Sequence, residues 1–264
     1  MAETIAVLSQ KGGTGKTTAV RTLADIFRRA GLDTLAVDLD PQGNLSDYFD
    51  VDPHADPTVA DVLTGRAQAS DAVHDDVLPA NLQLAEAELA MAGKMGRELT
   101  LRRALRDVQR GYDIVLVDCP PALGLLTVNA LVAADHALLS AEAQYFALQG
   151  VEQAIEVIDL ARENLNPDLA WLGVVLNIAD MRTIHSREAY QTLTEHFGDR
   201  VFQTTIRASI AYAESAERAV SILDHRPDLG ADYIALADEL LARLDLPEAR
   251  GRLGALAEEP AAGR

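Results

Sequence analysis

The segment that most constrains the fold is residues 9–18, which has the sequence SQKGGTGKTT. It joins an apolar β-like run, TIAVL at 4–8, to an amphipathic helix that begins near Thr17. Glycines allow successive backbone N–H groups to turn inward, and the N-terminus of the following helix adds positive potential at the same point. This order of strand, loop and helix predicts a phosphate-binding loop.

Two lysines lie in the loop, and one of them stands outside the usual phosphate-loop pattern. In G-x-x-x-x-G-K-[ST] the first glycine would fall on Gln10, and Lys11 follows it. The chain has three lysines and twenty arginines, so two lysines in one loop indicate that a flexible point charge is needed there. Lys16 is expected to meet the β- and γ-phosphates, and Thr17 to ligate Mg²⁺. The loop residues predicted to bind nucleotide are Lys11, Gly12, Gly13, Thr14, Gly15, Lys16, Thr17 and Thr18.

Length and composition indicate one globular domain of moderate size. The chain has 264 residues, of which 48% are hydrophobic, and no apolar run approaches the roughly 18 residues of a membrane helix. The N-terminus lacks the features of a signal peptide, so a cytoplasmic protein is expected. A single cysteine, Cys119, excludes an internal disulfide framework and a CxxC site within one chain.

The net charge of −18 is high for this length, and 25 of the 41 acidic residues are aspartate. Adaptation to high salt and the codon bias of a GC-rich genome would both produce such a composition, and the sequence leaves both explanations open. In either case a negative field opposes a polyanionic partner unless basic side chains are gathered locally.

Apolar runs alternate with helical patterns along most of the chain. Strands are predicted over residues 34–40, 112–118, 136–140, 170–176 and 201–206, and helices over 17–30, 147–164, 186–197, 211–220 and 230–244. Between the second and third strands we expect a short helix near 59–63, a short strand over 82–85 and a helical region over 87–110. Repeated alternation predicts a single α/β domain, residues 1–246, with a doubly wound, mostly parallel sheet and helices on both faces. The tail, 247–264, is expected to be disordered, and its acidity and lack of an apolar face argue against membrane binding.

Two aspartates close predicted strands, and ligands of an open parallel sheet bind beyond those strand ends. Asp118 follows four aliphatic residues and is predicted to hold Mg²⁺ through water. Asp40 is predicted to orient or deprotonate the attacking water beside the metal, with Asp38 as support. The alternative for each acid is an ordinary surface residue at a strand end. Lys11, Lys16 and Asp40 would then form the catalytic set for slow ATP hydrolysis, with Mg²⁺ near Thr17, Asp40 and Asp118.

Cys119 follows Asp118 directly and precedes two prolines. No histidine lies nearby in sequence, so we expect a small buried side chain beside the site and not a nucleophile.

Three ordered motifs resemble those of a known family. They are Lys-Gly-Gly-Thr-Gly-Lys-Thr-Thr at 11–18, Asp-Leu-Asp-Pro-Gln-Gly-Asn at 38–44 and Tyr-Asp-Ile-Val-Leu-Val-Asp-Cys-Pro-Pro-Ala-Leu-Gly at 112–124. These are similar to the deviant Walker A, Walker A′ and Walker B motifs of ParA/Soj-type partition ATPases, and the likeness covers most of residues 3–245.

The resemblance implies an ATP-sandwich homodimer in which Lys11 reaches the partner's phosphates and Lys16 serves its own nucleotide. It also implies that Asn177 reads adenine together with the loop around Arg207. ATP-bound dimers of this family coat DNA nonspecifically, which would make the protein nucleoid-associated. A ParB-like partner with a short basic segment stimulates hydrolysis and release.

The chain departs from the family where DNA binding is concerned. Relatives typically carry a Pro-Arg-Asn-Val-Arg-like run, whereas this chain has Arg-Ala-Ser-Ile-Ala at 207–211, with alanine at one basic position. The candidate DNA face consists of Arg182, Arg187, Arg207, Arg218 and Arg226, and the alternative is an ordinary solvated surface.

A second set of arginines is spaced along one predicted helical face. Arg102, Arg106 and Arg110 recur every four residues near the end of the helical region, where cations complement the partial negative charge of a helix C-terminus.

Two other functions are compatible with the same predicted fold. One is a positioning ATPase for a protein assembly or a membrane-associated cargo, as in MinD relatives or organelle positioning. The lack of a C-terminal amphipathic helix and the Asp-Pro-Gln-Gly-Asn segment argue against MinD, but neither separates DNA cargo from protein cargo. The other is a metal-cluster enzyme similar to the nitrogenase iron protein, for which Cys119 is badly placed.

Overall fold

The architecture is a seven-stranded sheet in which every pairing between named strands is parallel. The computed structural model describes residues 2–144 and 146–258. The order across the sheet is β3-β2-β4-β1-β5-β6-β7. The strands are β1 (Glu3–Leu8), β2 (Thr34–Asp38), β3 (Val77–Leu78), β4 (Ile114–Asp118), β5 (His136–Glu142), β6 (Ala170–Ala179) and β7 (Val201–Arg207).

Helices cover both faces of the sheet. They are α1 (Lys16–Arg29), α2 (Asn44–Tyr48), α3 (Val59–Thr64), α4 (Gln83–Met91), α5 (Thr100–Leu105), α6 (Leu125–Ala133), α7 (Ala147–Asn164), α8 (Ile184–Phe197), α9 (Ala211–Glu217), α10 (Ile222–His225), α11 (Pro227–Arg243) and α12 (Pro247–Glu258). Buried side chains of α3 to α8 form one hydrophobic cluster, and those of α1, α2 and α9 to α12 form another. The predicted doubly wound fold is confirmed.

Strand register brings the carboxyl ends of the central strands together. All five residues of β4 are buried, as expected for a parallel strand covered on both faces. Asp118 lies opposite Val7 of β1 and opposite Asp38 of β2. Since the phosphate loop follows β1 directly, both aspartates end beside it.

Between β2 and β4 the predicted strand is wrong, and the predicted helical region is divided into separate helices. Residues 83–85 of the strand expected over 82–85 belong to α4, because Leu84, Ala87 and Met91 recur at helical spacing and are all buried. The short strand of this region is β3, several residues earlier. The helical region predicted over 87–110 contains the end of α4 and all of α5, and between them Gly96 adopts φ 68°, a left-handed conformation that interrupts the helix.

The expected disordered tail is helical over most of its length. Residues 247–258 form α12, in which Ala249 and Leu253 are buried in the cluster shared with α11. Glycines and charged residues surround Ala249 and Leu253, so their four-residue spacing does not stand out as a helical pattern in the sequence. Residues 259–264 lie outside the described residues. Among the described helices, none combines the length and apolar character that crossing a membrane requires.

Arg243 ties the end of α11 to the sheet edge at a glycine. Its guanidinium donates to the carbonyl oxygens of Leu172 at 2.5 Å and Asp199 at 2.9 Å, and its Cζ lies 3.7 Å from the centroid of the Phe202 ring. Gly173, at a register shift in β6, has φ 137°. A Cβ at this position would lie 2.5 Å from Arg243 Nη1 and would collide with the carbonyl oxygen of Arg200.

Gly173→Ala should therefore destabilise the fold by about 3 kcal/mol, through backbone strain and overpacking. The measurement is the free energy of unfolding in urea. Gly93→Ala is the matched control, because a Cβ there meets nothing within 4 Å. A loss of stability no larger than that of the control would contradict this account of the β6–α11 contact.

Candidate phosphate and cation site

The loop between β1 and α1 adopts the expected cradle conformation. Gly13 and Gly15 have φ angles of 75° and 81°, which residues with a side chain rarely adopt. Gly15 is the N-cap of α1, so the helix N-terminus points at the loop. Lys16 is buried, and its Nζ donates to Ser9 Oγ at 3.0 Å. The lysine charge is thereby held across the base of the loop.

Thr17 and Asp118 form a pair directly beside the cradle. The Thr17 hydroxyl donates to Asp118 Oδ2 at 2.7 Å. Asp118 is 1% exposed, and its Oδ1 has no hydrogen-bond partner among the described residues. Burial, and then the nearby Asp38 carboxylate, raise the pKa of Asp118 to about 8. A carboxyl with an unpaired buried oxygen next to a hydroxyl fits a site for a hard cation.

Asp38 and Asp40 occupy different environments. Strand β2 ends at the fully buried Asp38, whereas the sequence predicts the strand to continue to Asp40. Asp38 Oδ2 accepts from the Ser46 N–H at 2.9 Å and from Ser46 Oγ at 2.8 Å, and Oδ1 accepts from the Asp40 N–H at 3.1 Å. Burial raises the pKa of Asp38 to about 6, against these hydrogen bonds.

Asp40 is half-buried in the loop after β2, and its Oδ1 accepts from the Gln42 N–H at 3.0 Å. Asp38 thus fixes the loop that carries Asp40, while the Asp40 carboxylate remains partly open to solvent.

Asn177 lies beneath the phosphate loop, near the end of β6. Its Nδ2 donates to Ser140 Oγ at 2.6 Å, and the Ser140 hydroxyl donates to the Thr14 carbonyl oxygen at 2.8 Å. A Cβ on Gly15 would lie 3.2 Å from Asn177 Nδ2. Asn177 Oδ1 and Thr14 Oγ1 are buried without hydrogen-bond partners among the described residues. Buried polar atoms without a partner are uncommon in folded proteins, and Asn177 also lines the cleft described next.

A cleft of about 800 Å³ opens from the loop toward α9. Its lining includes Lys16, Thr17, Thr18, Asn177, Arg207 and Tyr212. The structure therefore brings together Asn177 and Arg207, which are distant in sequence. Arg207 Nε lies 2.7 Å from Asp232 Oδ2, and Arg207 also donates to the Asp228 carbonyl. The guanidinium is thus fixed at the cleft wall.

Lys11 lies apart from Lys16. The exposed side chain of Lys11 places Nζ 5.7 Å from the centroid of the Phe146 ring, a distance at which a cation attracts an aromatic face. Gly12 and Gly13 are exposed with it. One lysine therefore serves the interior of the loop, and the other points to its outer surface.

Most of the arginines predicted to face DNA are already engaged. Arg182 pairs with Asp180 at 2.8 Å, Arg226 pairs with Asp228 at 2.8 Å, and Arg207 pairs with Asp232 as described above. Arg187 donates to the Arg182 carbonyl at 2.8 Å. Arg218 is exposed, without an ion pair among the described residues. Neighbouring aspartates therefore neutralise three of the five predicted charges.

Three serines complete the site, and the sequence analysis missed them. Ser9 positions Lys16, Ser46 links Asp38 to the Ala80 N–H through its Oγ at 2.9 Å, and Ser140 bridges Thr14 and Asn177. Ser9 and Ser140 are polar residues at the carboxyl ends of apolar runs, a signal that could have identified them. Ser46 carries no such signal.

Cys119 is 1% exposed, and burial raises the pKa of its thiol far above the ordinary range. The prediction of a small buried side chain is confirmed, and the raised thiol pKa agrees with the prediction that it is not a nucleophile.

Comparison with known proteins agrees with the geometry. A family model described as an AAA domain matches residues 2–171. The chain is 36% identical to the sporulation initiation inhibitor protein Soj of Bacillus subtilis, over 92% of this chain and 99% of that protein. It is 39% identical to the chromosome-partitioning ATPase Soj of Thermus thermophilus, over 91% and 96% of the two chains.

A solved structure supports the same fold. A Mycobacterium smegmatis protein named cobyrinic acid a,c-diamide synthase, with bound ATP analog and magnesium, superposes with a TM-score of 0.76 at 35% identity. The match covers 85% of this chain and 96% of that one. With its three motifs, parallel sheet and phosphate cradle, the chain belongs to the ParA/Soj family of ATPases.

Proposed function

We propose that this ATPase is a dimerising switch for DNA partition, which binds DNA nonspecifically with ATP and releases it after hydrolysis. The observation that carries the proposal is the Thr17–Asp118 pair beside the buried Lys16, at the head of a nucleotide-sized cleft. Family membership and the relatives named for chromosome partition support the biological role. A ParB-like partner and a nucleoid-bound ATP state belong to the same proposal.

Nucleotide binding follows from the loop and the cleft. The backbone N–H groups of residues 12–18 and the Lys16 ammonium would hold the phosphates, because the helix N-terminus and the lysine both attract negative charge. Asn177 and Arg207 line the cleft beyond the loop, where the base of ATP would lie. The unpaired Asn177 Oδ1 offers an acceptor for an exocyclic amino group.

The site also suits Mg²⁺. Among the described residues, no group of three or more His, Cys, Asp or Glu side chains is arranged to hold a metal alone. Mg²⁺ commonly keeps water and takes few protein oxygens together with substrate phosphates. Thr17 Oγ1 and the Asp118 carboxylate would hold it, with Asp40 near its outer side. When bound, the ion neutralises charge on the transferring phosphoryl group.

Hydrolysis requires a positioned water. Asp40 is the candidate to orient it, because its carboxylate is partly open to solvent and its loop is fixed by Asp38. Lys11 lies on the outer surface of the loop, where a second protomer could bring its own Lys11 to the phosphates. Both roles come from the resemblance to ParA/Soj proteins, and the geometry is compatible with them.

A positioning ATPase for protein or membrane cargo is the alternative. The apolar residues Ala249 and Leu253 of α12 are buried against the core, which makes this helix unsuitable as a surface anchor. Protein cargo would leave the nucleotide site unchanged, so DNA binding with ATP is the measurement that separates the two.

The name of the M. smegmatis structure indicates an amide-forming enzyme, and such an enzyme would share the ATP site. Glutamine-dependent ammonia release would use a reactive, accessible thiol. The only cysteine of the sequence, Cys119, is buried with a raised thiol pKa, so we favour the switch.

Lys16→Ala should weaken binding of ATP by at least about tenfold, because a charge-assisted contact to the phosphates is lost. Isothermal titration with Mg²⁺ and a slowly hydrolysed ATP analogue measures the affinity. Lys94→Ala, which changes the remaining lysine outside the loop, should bind normally. Normal nucleotide affinity of Lys16→Ala would contradict the assignment of Lys16 to the phosphates.

Lys11→Ala should bind nucleotide but should not form ATP-dependent dimers, as measured by light scattering.

Asp40→Ala should bind ATP like the wild type and hydrolyse it at least about 100-fold more slowly, since it lacks the group that orients water. Phosphate release measures turnover, and light scattering should show a persistent ATP dimer. Gln42→Ala, an exposed change in the same loop, is the control. Hydrolysis by Asp40→Ala at the wild-type rate would remove Asp40 from the mechanism.

The raised pKa of Asp118 predicts a pH-dependent stability of the nucleotide-free protein. Below a pKa of about 8 the folded protein keeps a proton that the unfolded chain has lost above about pH 4. Because the folded state binds one more proton than the unfolded chain, its stability falls as pH rises, until the pH has passed about 8. The free energy of unfolding should therefore fall by about 2 kcal/mol between pH 6.5 and 8.5.

Asp118→Asn, a neutral isostere, should show a smaller fall between the same two pH values. Asp168→Asn, an exposed change, should behave like the wild type. Urea titrations at both pH values measure the difference. Identical pH dependence in Asp118→Asn and the wild type would contradict the assigned protonation.

A further inference from the structure

The segment 94–110 reverses the charge of an otherwise acidic chain. It contains six basic and two acidic residues, whereas the rest of the sequence contains 17 basic and 39 acidic residues. Local gathering of basic side chains is the condition under which an acidic protein can still bind a polyanion. The segment runs from the end of α4 through α5 to the turn before β4.

Four arginines of this segment form what we call the arginine surface: Arg102, Arg103, Arg106 and Arg110. All four are exposed. Leu101 and Leu105 of α5 are fully buried and fix the helix against the core, so the arginines occupy its outer side. Arg106 follows α5 by one residue, and Arg110 lies in the next short 3-10 turn.

None of these four guanidinium groups has an ion-pair partner within residues 2–144 and 146–258. Elsewhere the exposed arginines are largely paired: Arg182, Arg207 and Arg226 each bind an aspartate. A phosphate contact at one of those three sites would compete with a carboxylate that already binds the guanidinium. At the arginine surface it would displace only water and counterions, so the charge there is available for binding.

We propose that the arginine surface, and not the paired arginines around the cleft, contacts the phosphate backbone of duplex DNA. This inference rests on the DNA-bound ATP state of the proposed function. Guanidinium groups match phosphate oxygens bidentately, and Arg102 and Arg106 lie one helical turn apart. Contacts to the backbone alone carry no sequence information, so the binding is nonspecific.

The chemistry of the surface favours nucleic acid over a lipid bilayer. A helix that binds a membrane surface places apolar side chains between its cations and buries them in the headgroup region. Here the apolar residues of α5, Leu101 and Leu105, are already buried in the protein. The nearest fully exposed apolar side chain, Met95, precedes α5 and lies outside the arginine surface.

The test compares full-length variants bound to a fluorescent random-sequence DNA duplex, with Mg²⁺ and a slowly hydrolysed ATP analogue, across a potassium chloride series. Arg102→Ala/Arg106→Ala should lose roughly tenfold in affinity at low salt, and its slope of log K against log salt should fall by about 1.8. Arg102→Lys/Arg106→Lys should retain most of the binding, because the charge remains. Arg182→Ala/Arg226→Ala is the matched control and should bind like the wild type.

Each outcome has a distinct meaning, provided that thermal unfolding and basal ATP hydrolysis of the variants match the wild type. Unchanged affinity and salt slope in Arg102→Ala/Arg106→Ala, with DNA binding by the wild type, overturn the surface assignment alone. The same holds if Arg182→Ala/Arg226→Ala is the variant that loses binding. Absence of DNA binding by the ATP-loaded wild type overturns the DNA role in the proposed function together with this inference. Binding to phosphatidylserine vesicles but not to DNA, lost in Arg102→Ala/Arg106→Ala, assigns the surface to a membrane and overturns the DNA assignment.

Discussion

The register of three neighbouring parallel strands is the constraint on which the site depends. Pairing of β4 with β1 and β2 places Asp118 opposite Val7 and Asp38 at one edge of the sheet. Two carboxyl groups are thereby buried next to the phosphate loop, where desolvation raises the pKa of each and the Asp38 carboxylate raises that of Asp118 further. Such a pair favours the arrival of positive charge. The sheet by itself therefore places two buried acidic side chains beside the phosphate loop.

Hydrogen bonds extend this arrangement from the strands to the loops around them. The Asp38 carboxylate accepts hydrogen bonds from the Asp40 N–H and from the Ser46 hydroxyl. Ser46 Oγ in turn accepts from the N–H of Ala80, which follows β3. On the cleft wall, Tyr48 of α2 is hydrogen-bonded to Ser215 of α9. The segment that carries the water-orienting candidate is therefore joined both to the sheet edge and to the wall of the cleft.

The pairing of arginines with aspartates determines which positive charges are available for binding. In a chain of net charge −18, aspartates pair with many of the arginines, including three of the five that the sequence analysis predicted to face DNA. Exposed position alone is therefore a poor guide to available charge in an acidic protein. The four arginines of the arginine surface form a group without ion pairs among the described residues, and few acids lie near them in sequence. A protein with an acidic surface can thus keep one region, here the arginine surface, whose positive charge can bind phosphate.

The sequence by itself determined the phosphate loop, the alternation of strands and helices, and the acid at the end of β4. These features depend on local spacing: glycines before Lys16, and an apolar run before Asp118. It misplaced the strand near residue 82 and the helix α12, because short or diluted apolar patterns do not distinguish helix, strand and coil. It also extended β2 to Asp40, since nothing in the run 34–40 shows where pairing stops.

Only the tertiary structure decided which residues meet. It separated the roles of Asp38 and Asp40, brought Ser140 and Asn177 beneath Gly15, and showed that Arg182, Arg207 and Arg226 are paired. These facts depend on contacts between strands and loops that are far apart in the chain. Local spacing fixes what each segment can form, whereas burial and the partner of each charge exist only once the sheet has assembled.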